Sequence, residues 1–519
     1  MPAPRIPGRA IAPLLTRTRI SQAGAGGAVI GRRAILKYCG IGALGLAAPP
    51  WPSRVARAQA VRGSRAPTVA EDIARWLVAL RYDELPPEVI ARAKRVLLDT
   101  LGCALGAIGA APVRAAQRVV ALQGGSPQAT ILGLGRKASC DQAAFLNGMA
   151  LRYFDYNDYI ALGRPNHASI NVAPALAVAE MQGATGQALL LGLVAGYELE
   201  VRLRDAVAAK RREGWDDTSI EAQYAAAATA GKLLQLDEGK LANALAIAGS
   251  NANTLAEVRR GAELTPAKGS AEPMAARNGV FAALLAQAGL AYPLTIFEGE
   301  NGFAKMVSGS FDDAILRQRT GELQILKSCI KLWPCVGTAQ APIAAALEIY
   351  KRQPGAEEIS AIAVGLSDFA YRQQIAYPEE ISTREHADHS IPYLVARALL
   401  DGDVKVTDFE VERFKNPRAL ALKRKLTVRP DAALSNENLG ANMEVTLRNG
   451  TVLSASVPIP PGNMLNPASD ADLTRKFLAL SEGVLGRARA QKAIEVVLAV
   501  DTMGDLGNLL SALAPAKPE

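Results

Sequence analysis

The chain has 519 residues, more than one hydrophobic core usually serves, so two domains are expected. Hydrophobic residues at 49% and charged residues at 21% are ordinary for a soluble globular protein, while 5% aromatics argue for packed helices over a β-sandwich. The pI of about 9.2 invites a nucleic-acid partner. However, Arg5, Arg9, Arg17, Arg19, Arg32, Arg33, Lys37, Arg54 and Arg57 fall within residues 1–60, which hold no acid, and the rest of the chain carries a formal charge of −1. A folded surface built to grip phosphates is therefore excluded, and no nucleic-acid partner is expected.

Residues 1–60 have the order of an export leader. Gly31-Arg32-Arg33-Ala34-Ile35-Leu36-Lys37 resembles a twin-arginine signal motif, an uncharged stretch runs from Tyr38 to Ala48, and Ala58-Gln59-Ala60 has the small-x-small pattern of a cleavage site. The apolar stretch is too short to span a bilayer stably. A periplasmic or secreted mature protein is expected, with no membrane contact after cleavage. Cys103, Cys140, Cys329 and Cys335 would remain in it; without a CxxC pair they are expected as buried free thiols, with a Cys329–Cys335 bridge as the alternative.

From Thr68 onward, helical spacing of apolar residues predicts helices over 69–80 and 88–106, the second opened by Pro87. Further helices are expected over 168–181, 186–204, 222–234, 239–250 and 274–288. After about residue 323 the texture changes. Residues 359–366 alternate like a strand, 426–430 are short and β-branched, and 441–447 with 451–457 form a hairpin whose Asn449-Gly450 suits a type I′ turn. One helix, 389–400, lies between these strands, and helices return over 473–480 and 487–500. The expected fold class is mainly α with a smaller α+β part: a helical domain over 67–325, an inserted α+β lid over 326–464, and C-terminal helices over 465–519 that rejoin the helical domain.

Three histidines are present, and carboxylates flank them. His167 follows Asp155-Tyr156-Asn157-Asp158-Tyr159, and His386 and His389 lie in Arg384-Glu385-His386-Ala387-Asp388-His389. Such neighbours orient an imidazole and tune it for proton transfer. His386 and His389 are spaced to face one way on a helix, as metal ligands would, but no HExxH or thiolate set accompanies them, so no metal is expected. Nothing downstream of the leader reads GxGxxG after a strand, which removes a dinucleotide cofactor, and no GxSxG elbow marks a serine hydrolase.

A series of short stretches, in order, resembles the MmgE/PrpD family. They run from Leu85-Pro86-Pro87-Glu88 through Leu98-Asp99-Thr100-Leu101-Gly102, Asn147-Gly148, Asp155 to Ser169, Gly196-Tyr197-Glu198 and Ala230-Gly231-Lys232-Leu233-Leu234. Ala267-Lys268-Gly269, Phe297-Glu298-Gly299, Lys331-Leu332-Trp333-Pro334-Cys335 and Asp388-His389-Ser390-Ile391-Pro392-Tyr393 complete the series. The resemblance implies a homodimer of subunits with a large helical domain and an α+β lid, and a site between them. It also implies cofactor-free acid–base chemistry on a small di- or tricarboxylic acid: dehydration first, epimerisation or decarboxylation as alternatives. A periplasmic carboxylate-binding protein that has lost catalysis is the reading from another class.

Carried over by motif, His167 and Tyr393 are the expected acid–base residues. Lys268 and Lys331 stabilise the enolate-like charge that builds beside a carboxylate, and Asp155 positions His167. Tyr159, Ser169, Asp217 and His389 are expected to contact substrate. The chain departs from the family pattern in Gly214-Trp215-Asp216-Asp217, where many members end in His, and at Asn157 and Tyr159, where an acid and a threonine are common. An anion in place of a possible cation implies a substrate with fewer carboxylates than citrate-like acids, or weak dehydration.

Overall fold

A computed structural model describes residues 65–161, 166–207, 212–260, 264–319 and 321–515. The export leader read over residues 1–60 lies outside them. Labels below cover the helices of eleven residues or more.

The first core is built from α1 (Val69–Ala79), α2 (Pro87–Ala107), α3 (Ala111–Gln123), α4 (Cys140–Tyr153), α5 (Val172–Gln182), α6 (Gly186–Ala206), α7 (Asp217–Leu233), α8 (Glu238–Ser250) and α9 (Lys268–Gln287). Helix α1 starts on a capping box, in which Thr68 and Glu71 satisfy each other's backbone N–H groups. Pro87 occupies the first turn of α2, where its missing N–H costs nothing. Helix α9 packs against α7, α4 and α8. The approach to α7 is close because of Gly279, where a Cβ would lie 2.4 Å from the Gln223 carbonyl oxygen.

In the first core, three helix starts differ most from expectation. The helix expected over 168–181 opens as a 3₁₀ turn, Ala168–Asn171, before α5. Helix α7 begins at Asp217 rather than 222. Helix α9 begins at Lys268 rather than 274, because Pro273 sits inside it and removes only the bond to Gly269, still within the first turns. Helices α3 and α4 had no sequence expectation at all. Among the described residues no single helix is long and apolar enough to cross a membrane; α2 and α3 pass such a test only as a pair bent by 86°.

The second core lies under a four-stranded sheet of order β6-β5-β7-β8, from β5 (Ile359–Leu366), β6 (Leu426–Pro430), β7 (Ala441–Leu447) and β8 (Val452–Val457). Strand β5 pairs parallel with β6 and antiparallel with β7, and β7 pairs antiparallel with β8. Alternate residues Ala441, Met443 and Val445 of β7 are buried. There they meet helix α10 (Gln340–Tyr350), which packs in turn on α11 (Ile391–Asp401). The hairpin is present, but its turn is not type I′: only Gly450 has positive φ (85°), and Leu447 N–H donates to the Thr451 carbonyl, so Arg448-Asn449-Gly450 make a three-residue loop.

The chain then returns to the first core. Helix α12 (Asp470–Leu485) lies on α2, where Gly102 and Gly106 leave room for Phe477 and Leu480, and α13 (Arg487–Leu498) packs on both. Two further sheets have only two strands each. One pairs β1 (Ala129–Ile131) with β2 (Arg136–Ala138). The other pairs β3 (Tyr159–Ile160) with β4 (Ser328–Cys329) and ties the segment after α4 to the segment entering the second core. All four cysteines of the described chain are buried free thiols.

Candidate active site

Where α4 ends, Asp155 takes a left-handed backbone conformation, φ 48°. An aspartate tolerates this at a cost of about 1 kcal/mol. The turn throws its carboxylate between the two cores, where cations converge on it. Lys331 Nζ donates to the Asp155 carbonyl (2.7 Å) and to Oδ1 (3.1 Å), Lys268 Nζ to Oδ2 (3.1 Å), and Arg152 Nη1 to Oδ1 (3.1 Å). Burial alone would raise the Asp155 pKa, but Lys268, Lys331 and Arg152 overcome it and hold the carboxyl well below its ordinary range.

Backbone anchors keep these groups in place. The β3–β4 pairing brings Lys331, two residues beyond β4, back beside Asp155. From α12, Lys476 pairs with Asp99 at 2.6 Å and donates to the carbonyls of Tyr156 (2.7 Å) and Lys331 (2.9 Å). The C-terminal helix thus holds the backbone on both sides of the carboxylate.

An imidazole flanks each side of Asp155. His167 Nε2 lies 3.6 Å from Oδ1, and its Nδ1 lies 3.2 Å from Glu272 Oε1. Glu272 also pairs with Arg152 Nε and Arg259 Nη2, and Arg259 continues to Asp216 at 3.0 Å. Burial, then Arg152, pushes the His167 pKa down to about 3, so the ring is neutral. On the other side, His389 Nε2 lies 3.4 Å from Asp155 Oδ2 and 2.6 Å from Lys268 Nζ, while its Nδ1 contacts the Asp388 carboxylate. Burial, then Lys268, lowers the His389 pKa as well. Asp155, Asp388 and His389 have ligand-type atoms within 4.8 Å of one another, as a metal trio would. The Lys268 ammonium already lies against two of the three, so the donor set fits a lysine better than an ion.

The remaining expected residues fall in different places. Ser169 is buried behind the cluster, its N–H donating to Asp158 Oδ1 (3.1 Å) and its Oγ accepting from Asn157 Nδ2 (2.7 Å), so it shapes the Asp155–His167 loop. Tyr159 is buried with its ring 5.9 Å from Lys331 Nζ, forming an apolar wall. Asp217 opens the first turn of α7, a position that favours an acid, and its neighbour Asp216 pairs with Arg259 of the cluster. His386 does not share a face with His389: its Nε2 contacts the Pro378 carbonyl (2.8 Å).

Tyr393 is not brought to the cluster. It is fully buried in the second core, and its hydroxyl donates to the Asp408 carbonyl. Burial and then the Asp408 charge raise its pKa, which leaves the phenol in poor condition to exchange protons with a ligand of Asp155. In this structure the hydroxyl is thus engaged within the second core and not with Asp155.

Sequence reasoning missed Arg152, Glu272 and Arg259, and read Asp388 only as a carboxylate flanking His389. Glu272 had a signal: four residues beyond Lys268 on one helix, it shares that lysine's face. The cluster borders a narrow cleft lined by Arg152, Tyr153, Asp155, Lys268, Glu385 and Asp388. Its cations are placed to draw in a small anion, and its neutral imidazoles to exchange protons with it.

Fold and cluster together define a class: a largely helical, two-core protein that gathers lysines, carboxylates and imidazoles between its cores. The chain belongs to the MmgE/PrpD family, matching its N-terminal domain over residues 71–315 and its C-terminal domain over residues 333–502. It is 27% identical to a cis-aconitate decarboxylase of Homo sapiens, over 87% of this chain and 96% of that protein. It is also 26% identical to a 2-methylcitrate dehydratase of Cupriavidus necator, over 70% of this chain and 79% of that protein.

Proposed function

We propose that this protein is a lyase that removes water or carbon dioxide from a small di- or tricarboxylic acid by acid–base chemistry, using its own side chains alone. The observation that carries the reading is the convergence of Lys268 and Lys331 on Asp155, between two imidazoles that each rest on a carboxylate. The relatives named above, a decarboxylase and a dehydratase of carboxylic acids, support the substrate class.

In a dehydration, His167 Nε2 takes the proton from the carbon next to a substrate carboxylate. The C–H electrons pass into that carboxylate as an enolate-like dianion, which Lys268 and Lys331 stabilise. They then form the C=C bond as hydroxide leaves the neighbouring carbon and takes up a proton as water. With the Tyr393 hydroxyl bonded to the Asp408 carbonyl, the Lys268–His389 pair supplies that proton: burial weakens the hold of Lys268 on it. In a decarboxylation, carbon dioxide leaves with the C–C electrons remaining on carbon, and the same pair protonates that carbon. Asp217 at the start of α7 adds negative charge near the Arg259 end of the network, which favours substrates with fewer carboxylates than citrate-like acids.

The test is to incubate the mature protein with a panel of di- and tricarboxylic acids in D₂O and follow proton NMR. Elimination or loss of carbon dioxide is expected for at least one acid. Proton exchange at a stereocentre without bond loss points instead to an epimerase, and heat of binding with no product to a carboxylate-binding protein; either result overturns the lyase reading. Export through the twin-arginine segment and assembly as a homodimer are proposed alongside it. Signal-dependent recovery from the periplasm and light scattering, respectively, test them.

A further inference from the structure

Glu272 sits where a carboxylate is costly. It is fully buried on the first turns of α9, in contact with two guanidinium groups and one imidazole. An unpaired buried carboxylate would take up a proton, but here Arg152 and Arg259 compensate. Burial by itself would raise the Glu272 pKa; Arg152, Arg259 and His167 prevail and hold it well below the ordinary carboxylate range. An ionised carboxylate only accepts hydrogen bonds. The ring nitrogen facing it, Nδ1 of His167 at 3.2 Å, must therefore carry the hydrogen of the neutral imidazole.

We propose that Glu272 is a positioning residue that locks His167 in the Nδ1–H tautomer, leaving the Nε2 lone pair directed at the Asp155 cleft. The catalytic meaning of this lock rests on the role given to His167 above; the lock itself does not. The geometry explains why two arginines are spent on one acid. Arg152 serves both carboxylates, Asp155 and Glu272, and so fixes the spacing across which the ring must reach. Arg259 ties Glu272 to Asp216 at the start of α7 and keeps the carboxylate from turning away from the ring. Because Lys268 and Glu272 share a face of α9, the helix that supplies a cation to one side of Asp155 also orients the base on the other.

The chain holds three histidines, so the full-length protein labelled with ¹⁵N-histidine gives three ring systems in long-range ¹H–¹⁵N correlation spectra, and His167→Asn identifies one of them. At neutral pH, His167 should show protonated Nδ1 and bare Nε2. Glu272→Gln should mix or invert the tautomers and lower kcat by about tenfold or more with KM changed less than about threefold, while Glu272→Asp should keep the tautomer. A His167 ring protonated at Nε2 in the unsubstituted protein overturns the proposal, as does a folded Glu272→Gln variant with unchanged tautomer. Should Glu272→Gln fail to fold, the wild-type spectrum and Glu272→Asp still decide. A locked tautomer in a protein that turns over none of the acid panel supports the positioning role while removing the lyase reading, so the two fail separately.

Discussion

The two imidazoles beside Asp155 are built alike and loaded differently. Each rests Nδ1 on a carboxylate and turns Nε2 toward one oxygen of Asp155, at 3.6 Å for His167 and 3.4 Å for His389. On the His389 side, Nε2 is already met by the Lys268 ammonium at 2.6 Å, so the ring serves the lysine. On the His167 side no lysine of the described residues contacts Nε2, and the supporting carboxylate is itself clamped by two arginines. In the proposed mechanism a pair of similar motifs thus resolves into a base held ready and a cation held in place. What separates them is the identity of the third group, which neither motif carries in its own sequence.

The largest effect should come from the group the two sides share. Asp155→Asn removes the anion that compensates Lys268, Lys331 and Arg152, of which Lys331 and Arg152 are almost wholly buried. Leaving buried charges uncompensated costs about 3–5 kcal/mol, so a marked fall in thermal midpoint with loss of turnover is expected. The pH dependence follows from the depressed pKa: Asp155 contributes stability above its unfolded value, and that contribution drains away only as pH falls through the native value. The variant should lose part of this acid-side slope in melts recorded against pH. Equal melting of both proteins would mean the hub is not electrostatic.

A smaller but sharper contrast is expected between the rings. His167→Gln should lower kcat by about 10²-fold, the scale of a lost general base, while His389→Gln should cost about tenfold because glutamine can still accept from Lys268. The acid limb of kcat/KM adds a second test. With the His167 pKa held down to about 3, the base stays unprotonated, so activity should persist well below the ordinary imidazole range and fall only in strong acid. A limb near pH 6.5 would hand the base role to a group in a more solvated setting.

Behind His167 lies a group of buried acids. Glu200 is fully buried, accepts from Asn171 Nδ2 at 2.7 Å, and has its pKa raised well above the usual value, first by burial and then by Glu272 and Glu221. A raised carboxyl pKa works against folding once pH exceeds the unfolded value, because the unfolded chain ionises first. Glu200→Gln keeps an acceptor for Asn171 and removes that penalty. Its thermal midpoint should exceed wild type at pH 8 and converge with it near pH 4. A difference independent of pH would show that the substitution acts through packing instead.

Much of this arrangement was legible in the residues, and the reasons for the gaps are specific. The change from helical spacing to alternation placed both cores, and polar motifs around Asp155, His167, Lys268, Lys331 and His389 marked groups that the fold draws together from separate segments. Arg152 was missed because α4 carries so many buried small residues on several faces that its period is blurred. Glu272 was missed because the helix was expected to begin only at 274, beyond Pro273, which hid the helical spacing from Lys268. The Arg152–Glu272 pair spans 120 positions and has no local signature, since an ion pair is specified by packing and not by sequence distance.

Tyr393 is where a motif suggested chemistry and the structure shows the hydroxyl bonded within the second core, and it calls for the smallest effect. Its position three residues after Ser390, the N-cap of α11, turns the ring into the second core, away from the charged seam. Tyr393→Phe removes one hydrogen bond to the Asp408 carbonyl and little else, which costs about 1 kcal/mol of stability. Turnover should change by less than about threefold, with the acid limb of the profile unmoved. Were kcat instead to fall as far as in His167→Gln, the hydroxyl would have to leave Asp408 and reach the cleft during turnover. The second core would then be a moving part of the site, and the contrast between two fixed sides of Asp155 would give way to a cycle in which one side is rebuilt at each turnover.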